Sequence, residues 1–77
     1  MPRLTVIHWK LLEAIFLKDG FLFFRQEGSH RSYVKDGCPR PVVIPTYNEI
    51  GIDIIKANMR TANMSRDRYF ELLEQCR

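Results

Sequence analysis

Residues 20–45 read GFLFFRQEGSHRSYVKDGCPRPVVIP, and this stretch decides the fold. Gly28-Ser29 and Asp36-Gly37 divide it at two turn signals, the second of which is a strong hairpin signal. The three segments between these breaks are rich in aromatic and β-branched residues, which predicts strands at Phe21–Glu27, His30–Lys35 and Pro41–Pro45. Connections this short predict an antiparallel meander, with the proline-flanked third strand confined to an edge or to a few ladder bonds.

Helical patterns lie on both sides of the strand region. Apolar residues recur at four-residue spacing from Ile7 and predict an amphipathic helix over His8–Lys18. After the strands, one apolar helical face includes Ile55, and Asn63 suits a left-handed position at a helix end. Ser65 is a preferred N-cap residue for a last, short helix. The order α-β-β-β-α plus a short C-terminal helix predicts an α+β fold, a three-stranded antiparallel sheet with helices on one face, as in double-stranded-RNA-binding domains.

Length and composition predict a single domain over residues 1–77. The chain has 77 residues, and Lys and Arg outnumber Asp and Glu by 12 to 9, for a net charge of +3. This balance permits a polyanionic partner without requiring one. No apolar run approaches the roughly 20 residues that span a bilayer, and no secretory pattern begins the chain. A cytoplasmic protein without a membrane partner is therefore expected.

The cysteines and histidines do not predict a metal site or a cofactor. Cys38 and Cys76 are far apart, and neither has ligand spacing to the other or to His8 and His30. The two cysteines could form a single disulfide, but two reduced thiols are expected in a cytosolic protein.

The Gly28-Ser29-His30 triplet is the most informative candidate site. His30 can exchange protons near neutral pH, and the neighbouring glycine allows a sharp turn or a close ligand approach. The alternative is a polar hairpin turn with a solvated histidine. Strand alternation puts His30 on the face of Val34, so a core-facing Val34 would place His30 near the helices. A bulge at Gly28, or a strand beginning after His30, would remove that constraint.

Flanking residues supply the other candidate contacts. Positive side chains that could hold phosphates are Arg25, Arg31 and Lys35. Tyr33 could stack on a base or donate a hydrogen bond.

The chain from about Val6 to Leu73 resembles the HicA family of toxin endoribonucleases. The resembling residues are Gly20-Phe21, Arg25-Gln26, Gly28-Ser29-His30, Tyr33, Asp36-Gly37, Val43-Ile44-Pro45 and the segment from Ala62 to Phe70. The resemblance implies a fold like that of double-stranded-RNA-binding domains and a toxin that cleaves mRNA until a HicB antitoxin neutralises it. It also implies that His30 is catalytic.

This resemblance implies a metal-independent endoribonuclease in which the RNA 2′-hydroxyl attacks its own phosphodiester. His30 would be the general acid or base, and Arg25, Arg31 and Lys35 would stabilise the transition state. Substrate contacts are further expected at Gly28, Ser29 and Tyr33, and Tyr33 or Lys35 would be the second acid. The expected partners are mRNA and a HicB-like antitoxin protein, with the chain alone a monomer or weak dimer.

The sequence departs from the family pattern at several positions. Arg31 replaces a frequent second histidine, and Thr46-Tyr47 replace histidines that often follow the proline. Asp53-Ile54 lie where many members have Gly-Thr, and Asn63 occupies a common glycine position.

Other aromatic and basic residues are expected mainly to pack or to be solvated. Trp9 and the cluster Phe21, Phe23 and Phe24 are expected in the core rather than on RNA. Lys56 and Arg60 form a solvated helix face or contact phosphates. Two rival functions stay open: an RNA-binding module without catalysis, and a protein that docks a partner on its sheet.

Overall fold

The fold is an α+β arrangement of three helices and three strands. The computed structural model describes residues 3–77. The elements are α1 (Trp9–Lys18), β1 (Leu22–Glu27), β2 (His30–Val34), β3 (Val42–Pro45), α2 (Ile52–Thr61) and α3 (Arg66–Cys76). The predicted fold class is confirmed. Each predicted strand is one residue longer, at one end, than the strand observed. The last helix is not short, because α3 has 11 residues against 10 for each of the other two.

The strands form one antiparallel sheet in the order β1-β2-β3. Gly28 and Ser29 alone connect β1 to β2, and the φ of 56° at Gly28 fits the first position of a type II′ turn. The predicted turn at Asp36-Gly37 is present, with a φ of 86° at Gly37. The chain then continues to Pro41 before β3 begins, so this connection is longer than a two-residue hairpin.

A β-bulge interrupts β1 and changes which residues share a face. Phe23 is opposite Tyr33 and Arg25 is opposite Ser32, so Phe24 is the extra residue. Strict alternation would place Arg25 on the face of Phe23. The bulge transfers Arg25 to the other face, together with Glu27.

The helices pack on one face of the sheet, and the core lies between these layers. The sheet contributes Tyr33, Val42 and Ile44, each with 0% of its surface exposed. From the helices come Leu12, Ile15 and Phe16 of α1, Ile55 and Met59 of α2, and Tyr69, Leu72 and Leu73 of α3. The opposite face, called the open face here, carries Leu22, Val34 and Val43, which are all exposed.

Only one residue of the phenylalanine cluster is in the core, which corrects the expectation for the other two. Phe21 is buried, whereas Phe23 and Phe24 are exposed. Phe21 precedes β1 and packs edge-on against Phe16 of α1. Phe23 and Phe24 border the bulge of β1, which is an edge strand of the sheet.

Local signals define the helix ends as predicted. Asn63 has a left-handed φ of 53°, and the Ser65 hydroxyl accepts a hydrogen bond from the Arg68 backbone N–H at 3.1 Å. Within residues 3–77, the helices are too short and too polar for a membrane crossing.

Candidate active site

His30 begins β2 and lies on the open face of the sheet. It is opposite Glu27 on one side and Pro45 on the other. The imidazole is exposed and makes no hydrogen bond or ion pair within the described residues. His30 would lie near the helices only if Val34 faced the core, and this condition is not met. Tyr33 is the core residue of β2, so Val34 and His30 both face away from the helices.

Hydrogen bonds hold both carbonyl groups of the Gly28-Ser29 turn. The Gln26 side-chain Nε2 donates to the Gly28 carbonyl at 2.8 Å. The Thr46 backbone N–H donates to the Ser29 carbonyl at 2.7 Å, and the Thr46 hydroxyl donates to it at 3.2 Å. The backbone that carries His30 is therefore fixed from β1 and from the residue that follows β3.

Arg25 shares the open face with His30 because of the bulge. Its guanidinium forms an ion pair with Glu27 at 2.9 Å and lies 5.7 Å from the centre of the Phe24 ring. Both partners of the ion pair are highly exposed, with side-chain exposures of 64% and 70%. Exposed pairs of this kind contribute only about 0.2–1 kcal/mol, so a phosphate can displace the carboxylate easily.

Arg31 and Tyr33 lie on the opposite, helix-covered face, which changes their expected roles. The Arg31 Nε donates to the Tyr33 hydroxyl at 2.9 Å, and its Nη1 donates to the Gln26 Oε1 at 2.8 Å. Its guanidinium also lies 4.2 Å from the centre of the Phe23 ring. Since Tyr33 is fully buried, its ring cannot stack on a base in this structure.

Glu13 completes this cluster and is the residue that sequence reasoning missed. Its Oε2 accepts from the Arg31 Nε at 3.2 Å, lies 3.1 Å from the Arg31 Nη2, and accepts from the Tyr33 hydroxyl. Burial, followed by the hydrogen bond to Glu13, raises the pKa of Tyr33 to about 12. The hydrogen bond to Tyr33 is the largest cause that raises the pKa of Arg31. We call Glu13, Arg31 and Tyr33 the buried triad; it joins α1 to β2.

Lys35 lies at the other end of β2, away from His30. Its Nζ forms an ion pair with Asp19 Oδ2 at 3.3 Å, and Asp19 also pairs with Arg68 of α3 at 3.0 Å. Lys35 lines a cavity of about 320 Å³ with Gly20, Leu22, Val34 and Asp36. Because β1 and β2 are antiparallel, this cavity is at the opposite end of the strands from His30.

The domain of bacterial HicA toxins matches this chain. The family model, described as HicA toxin of bacterial toxin-antitoxin, covers residues 9–64, which include α1, the whole sheet and α2. The chain belongs to the HicA toxin family. Membership in this family supports a toxin role, and the matched residues include the turn, His30 and the buried triad. A comparison with curated proteins found no match.

Two of the positions at which this HicA chain departs from the family pattern, Arg31 and Thr46, lie next to the turn and His30. Arg31, at the position of the frequent second histidine, points to the helix-covered face and binds Glu13, so its side chain is not on the face of His30. Thr46 holds the Ser29 carbonyl. Thr46 thus contacts the backbone before His30 directly, whereas Arg31 reaches it only through the Gln26 side chain.

The structure also places the cysteines and the other aromatic and basic residues that the sequence singled out. Cys38 and Cys76 are both free thiols, so the possible disulfide is not formed. Residues 3–77 contain no group of three or more His, Cys, Asp or Glu side chains arranged to hold a metal ion. Trp9 is half-buried against the core, as expected, while Lys56 and Arg60 are exposed on α2.

Proposed function

We propose that this HicA toxin is an endoribonuclease that cleaves mRNA without a metal ion, with His30 as its general acid or base. The observation that supports this most strongly is the position of His30. Within residues 3–77 the imidazole is exposed and forms no hydrogen bond or ion pair, and the turn that carries it has both of its carbonyl groups hydrogen-bonded. A base that faces solvent from a fixed backbone is free to reach a substrate proton.

The reaction is attack of a ribose 2′-hydroxyl on the adjacent phosphorus, with departure of the 5′-oxygen of the next nucleotide. His30 takes the proton from the 2′-hydroxyl or gives one to the leaving oxygen. Proton transfer from a positioned side chain contributes roughly 10²–10⁴-fold to the rate. The other histidine of the chain, His8, has its Nδ1 engaged as the N-cap of α1, where it accepts from the Lys10 N–H, so the proposal gives it no part in the reaction and a slow enzyme is expected.

Arg25 is the cation best placed to meet the phosphate that reacts at His30. Both residues lie on the open face, and Arg25 is free to exchange Glu27 for a more negative phosphate. Lys35 would contact a phosphate further along the strand, since it lies at the opposite end of β2. Arg31 and Tyr33 lie on the opposite, helix-covered face of the sheet, where Arg31 binds Gln26. Because Tyr33 is fully buried and has a pKa of about 12, it does not suit the role of second acid.

The glycine and serine of the turn have separate roles in this proposal. A side chain at Gly28 would meet no heavy atom within 4 Å, so the residue is required for its φ of +56°. The Ser29 side chain is exposed beside His30 and is available to the RNA.

The partners follow from the same proposal. mRNA would lie across the open face, and a HicB-like antitoxin would neutralise the toxin. The chain would act in the cytoplasm, as a monomer or weak dimer when alone.

The test is induction of the wild type, His30→Ala and His8→Ala in bacteria, with growth and mRNA integrity measured together. His8→Ala is the matched control, since it removes the other histidine of the chain and is exposed. Growth arrest with mRNA decay is expected in the wild type and in His8→Ala but not in His30→Ala. The purified wild type is expected to cleave RNA in excess EDTA. Full mRNA decay by His30→Ala would refute the role of His30.

An RNA-binding module without catalysis is the second candidate. The observation in its favour is that, among residues 3–77, His30 forms no hydrogen bond or ion pair with a side chain that could be the second acid or base. Such a protein would bind RNA with an affinity that falls steeply with salt, yet leave the RNA intact.

A further inference from the structure

We propose that Gln26 is a positioning residue for His30, because its side-chain amide fixes the turn from which His30 projects. The inference rests on the proposed function only where it concerns the rate of RNA cleavage. The hold on the turn is a separate claim about the folded protein.

Both ends of the Gln26 amide are occupied. Its Nε2 donates to the Gly28 carbonyl at 2.8 Å, and its Oε1 accepts from the Arg31 Nη1 at 2.8 Å. An exposed glutamine on an edge strand ordinarily samples several rotamers. Here two directional contacts, one to a cation, select one orientation and direct the N–H group at the turn.

The cation that orients Gln26 is itself fixed to α1. Arg31 donates to Glu13 at 3.2 Å and to the Tyr33 hydroxyl at 2.9 Å, and packs on the Phe23 ring at 4.2 Å. A continuous set of contacts therefore runs from Glu13 through Arg31 and Gln26 to the Gly28 carbonyl. We call this set the turn relay.

The bulge in β1 makes the turn relay possible. Gln26 is opposite Arg31 in the register, and both are on the helix-covered face. If β1 alternated regularly through Phe24, with no bulge, Gln26 would lie on the open face, out of reach of the Arg31 guanidinium. The bulge thus places Arg25 on the same face as His30, and Gln26 on the opposite face, from which its amide reaches the Gly28 carbonyl.

Thr46 holds the second carbonyl of the turn from the other side, through its N–H at 2.7 Å and its hydroxyl at 3.2 Å. The Ser29 carbonyl therefore stays held when Gln26 is changed. A Gln26 variant is expected to loosen the turn without unfolding the sheet.

The experiment compares Gln26→Met and Gln26→Glu with the wild type, and uses Gln75→Met as the matched control. Gln26→Met retains the length of the side chain and loses both hydrogen bonds, whereas Gln26→Glu can still accept from Arg31 but cannot donate to Gly28. Gln75 is an exposed glutamine of α3. The readouts are the NMR order parameter of the His30 backbone N–H, the melting temperature, and kcat and KM on an RNA oligonucleotide.

The expected order parameter of His30 is about 0.85 in the wild type, falling towards roughly 0.6 in both Gln26 variants. We expect kcat to fall roughly three- to tenfold, with KM nearly unchanged, since both variants lose the hydrogen bond to the Gly28 carbonyl and keep the substrate contacts. The control variant should match the wild type in every readout.

Two results would overturn the inference. An unchanged order parameter in both Gln26 variants would show that Gln26 does not hold the turn, whatever the activity. A lowered order parameter with an unchanged kcat would show that the turn does not need to be held for cleavage. Failure of the proposed function looks different, because the wild type itself would then cleave no RNA, and the order parameters alone would decide whether Gln26 holds the turn.

Discussion

Replacing Glu13 by glutamine removes the negative charge that joins α1 to β2. The Glu13 Oε2 accepts from Arg31 at 3.2 Å and also accepts from the Tyr33 hydroxyl. The side chains of Glu13 and Arg31 are only 20% and 23% exposed. Glutamine has nearly the same shape, so the variant removes charge without creating a cavity.

The expected loss of stability is about 2 kcal/mol. Hydrogen bonds to charged groups contribute roughly 1.5–3 kcal/mol, whereas exposed ion pairs contribute about 0.2–1 kcal/mol. The pair at Glu13 is mostly but not fully buried, and glutamine retains one acceptor oxygen, which places the estimate between these limits. For a domain of this size, about 2 kcal/mol corresponds to a fall in Tm of roughly 8–16 °C.

Urea denaturation of Glu13→Gln, with Glu27→Gln as the matched control, measures this loss. Glu27 pairs with Arg25 at the surface, so its substitution is expected to change the free energy of unfolding by about 0.5 kcal/mol or less. A loss below about 0.5 kcal/mol in Glu13→Gln as well would refute the argument that the buried triad stabilises the fold.

The same variant is expected to change the titration of Tyr33. Its pKa of about 12 has burial as the largest cause and the hydrogen bond to Glu13 as the next. Ultraviolet titration of tyrosinate in Glu13→Gln should therefore show a lower pKa that stays above the ordinary value of 10. A Tyr33 pKa that does not change would show that the Glu13 carboxylate has no influence on it.

Two further predictions concern stability. Burial raises the pKa values of Tyr33 and Tyr69 from 10.0 to about 12, so the neutral phenols stabilise the fold below pH 10 and this contribution is lost as the pH rises from 10 through 12. Urea midpoints measured across that range should fall, and Tyr69→Phe, which removes a buried hydroxyl without a hydrogen-bond partner in the described residues, should flatten the fall. Phe21→Ala should lower the free energy of unfolding by about 3–5 kcal/mol, because Phe21 is 1% exposed, whereas Phe24→Ala should change it by roughly 0.5 kcal/mol at most, because Phe24 is 60% exposed. Equal losses in the two phenylalanine variants would contradict the burial of Phe21 and the exposure of Phe24.

The elements themselves could be predicted because their signals are local. A four-residue apolar period forms a helix, and Gly28, Asn63 and Ser65 each suit a backbone conformation that the structure shows at that position. The exposed position of His30 could not be predicted, because alternation says only which residues share a face. It does not say which face the helices cover. The catalytic role of His30 stays a prediction from the family resemblance.

The sequence by itself determined the order of the elements, the turn before His30 and membership in the HicA family. The tertiary structure alone decided that Tyr33 is buried rather than Val34, that a bulge at Phe24 puts Arg25 on the same face as His30, and that Glu13 binds Arg31. The physical reason is separation along the chain. Glu13 and Arg31 are 18 residues apart, and the bulge depends on how β1 pairs with β2. Such contacts have no period that a sequence window can show, and they exist only once the helix and the sheet pack together.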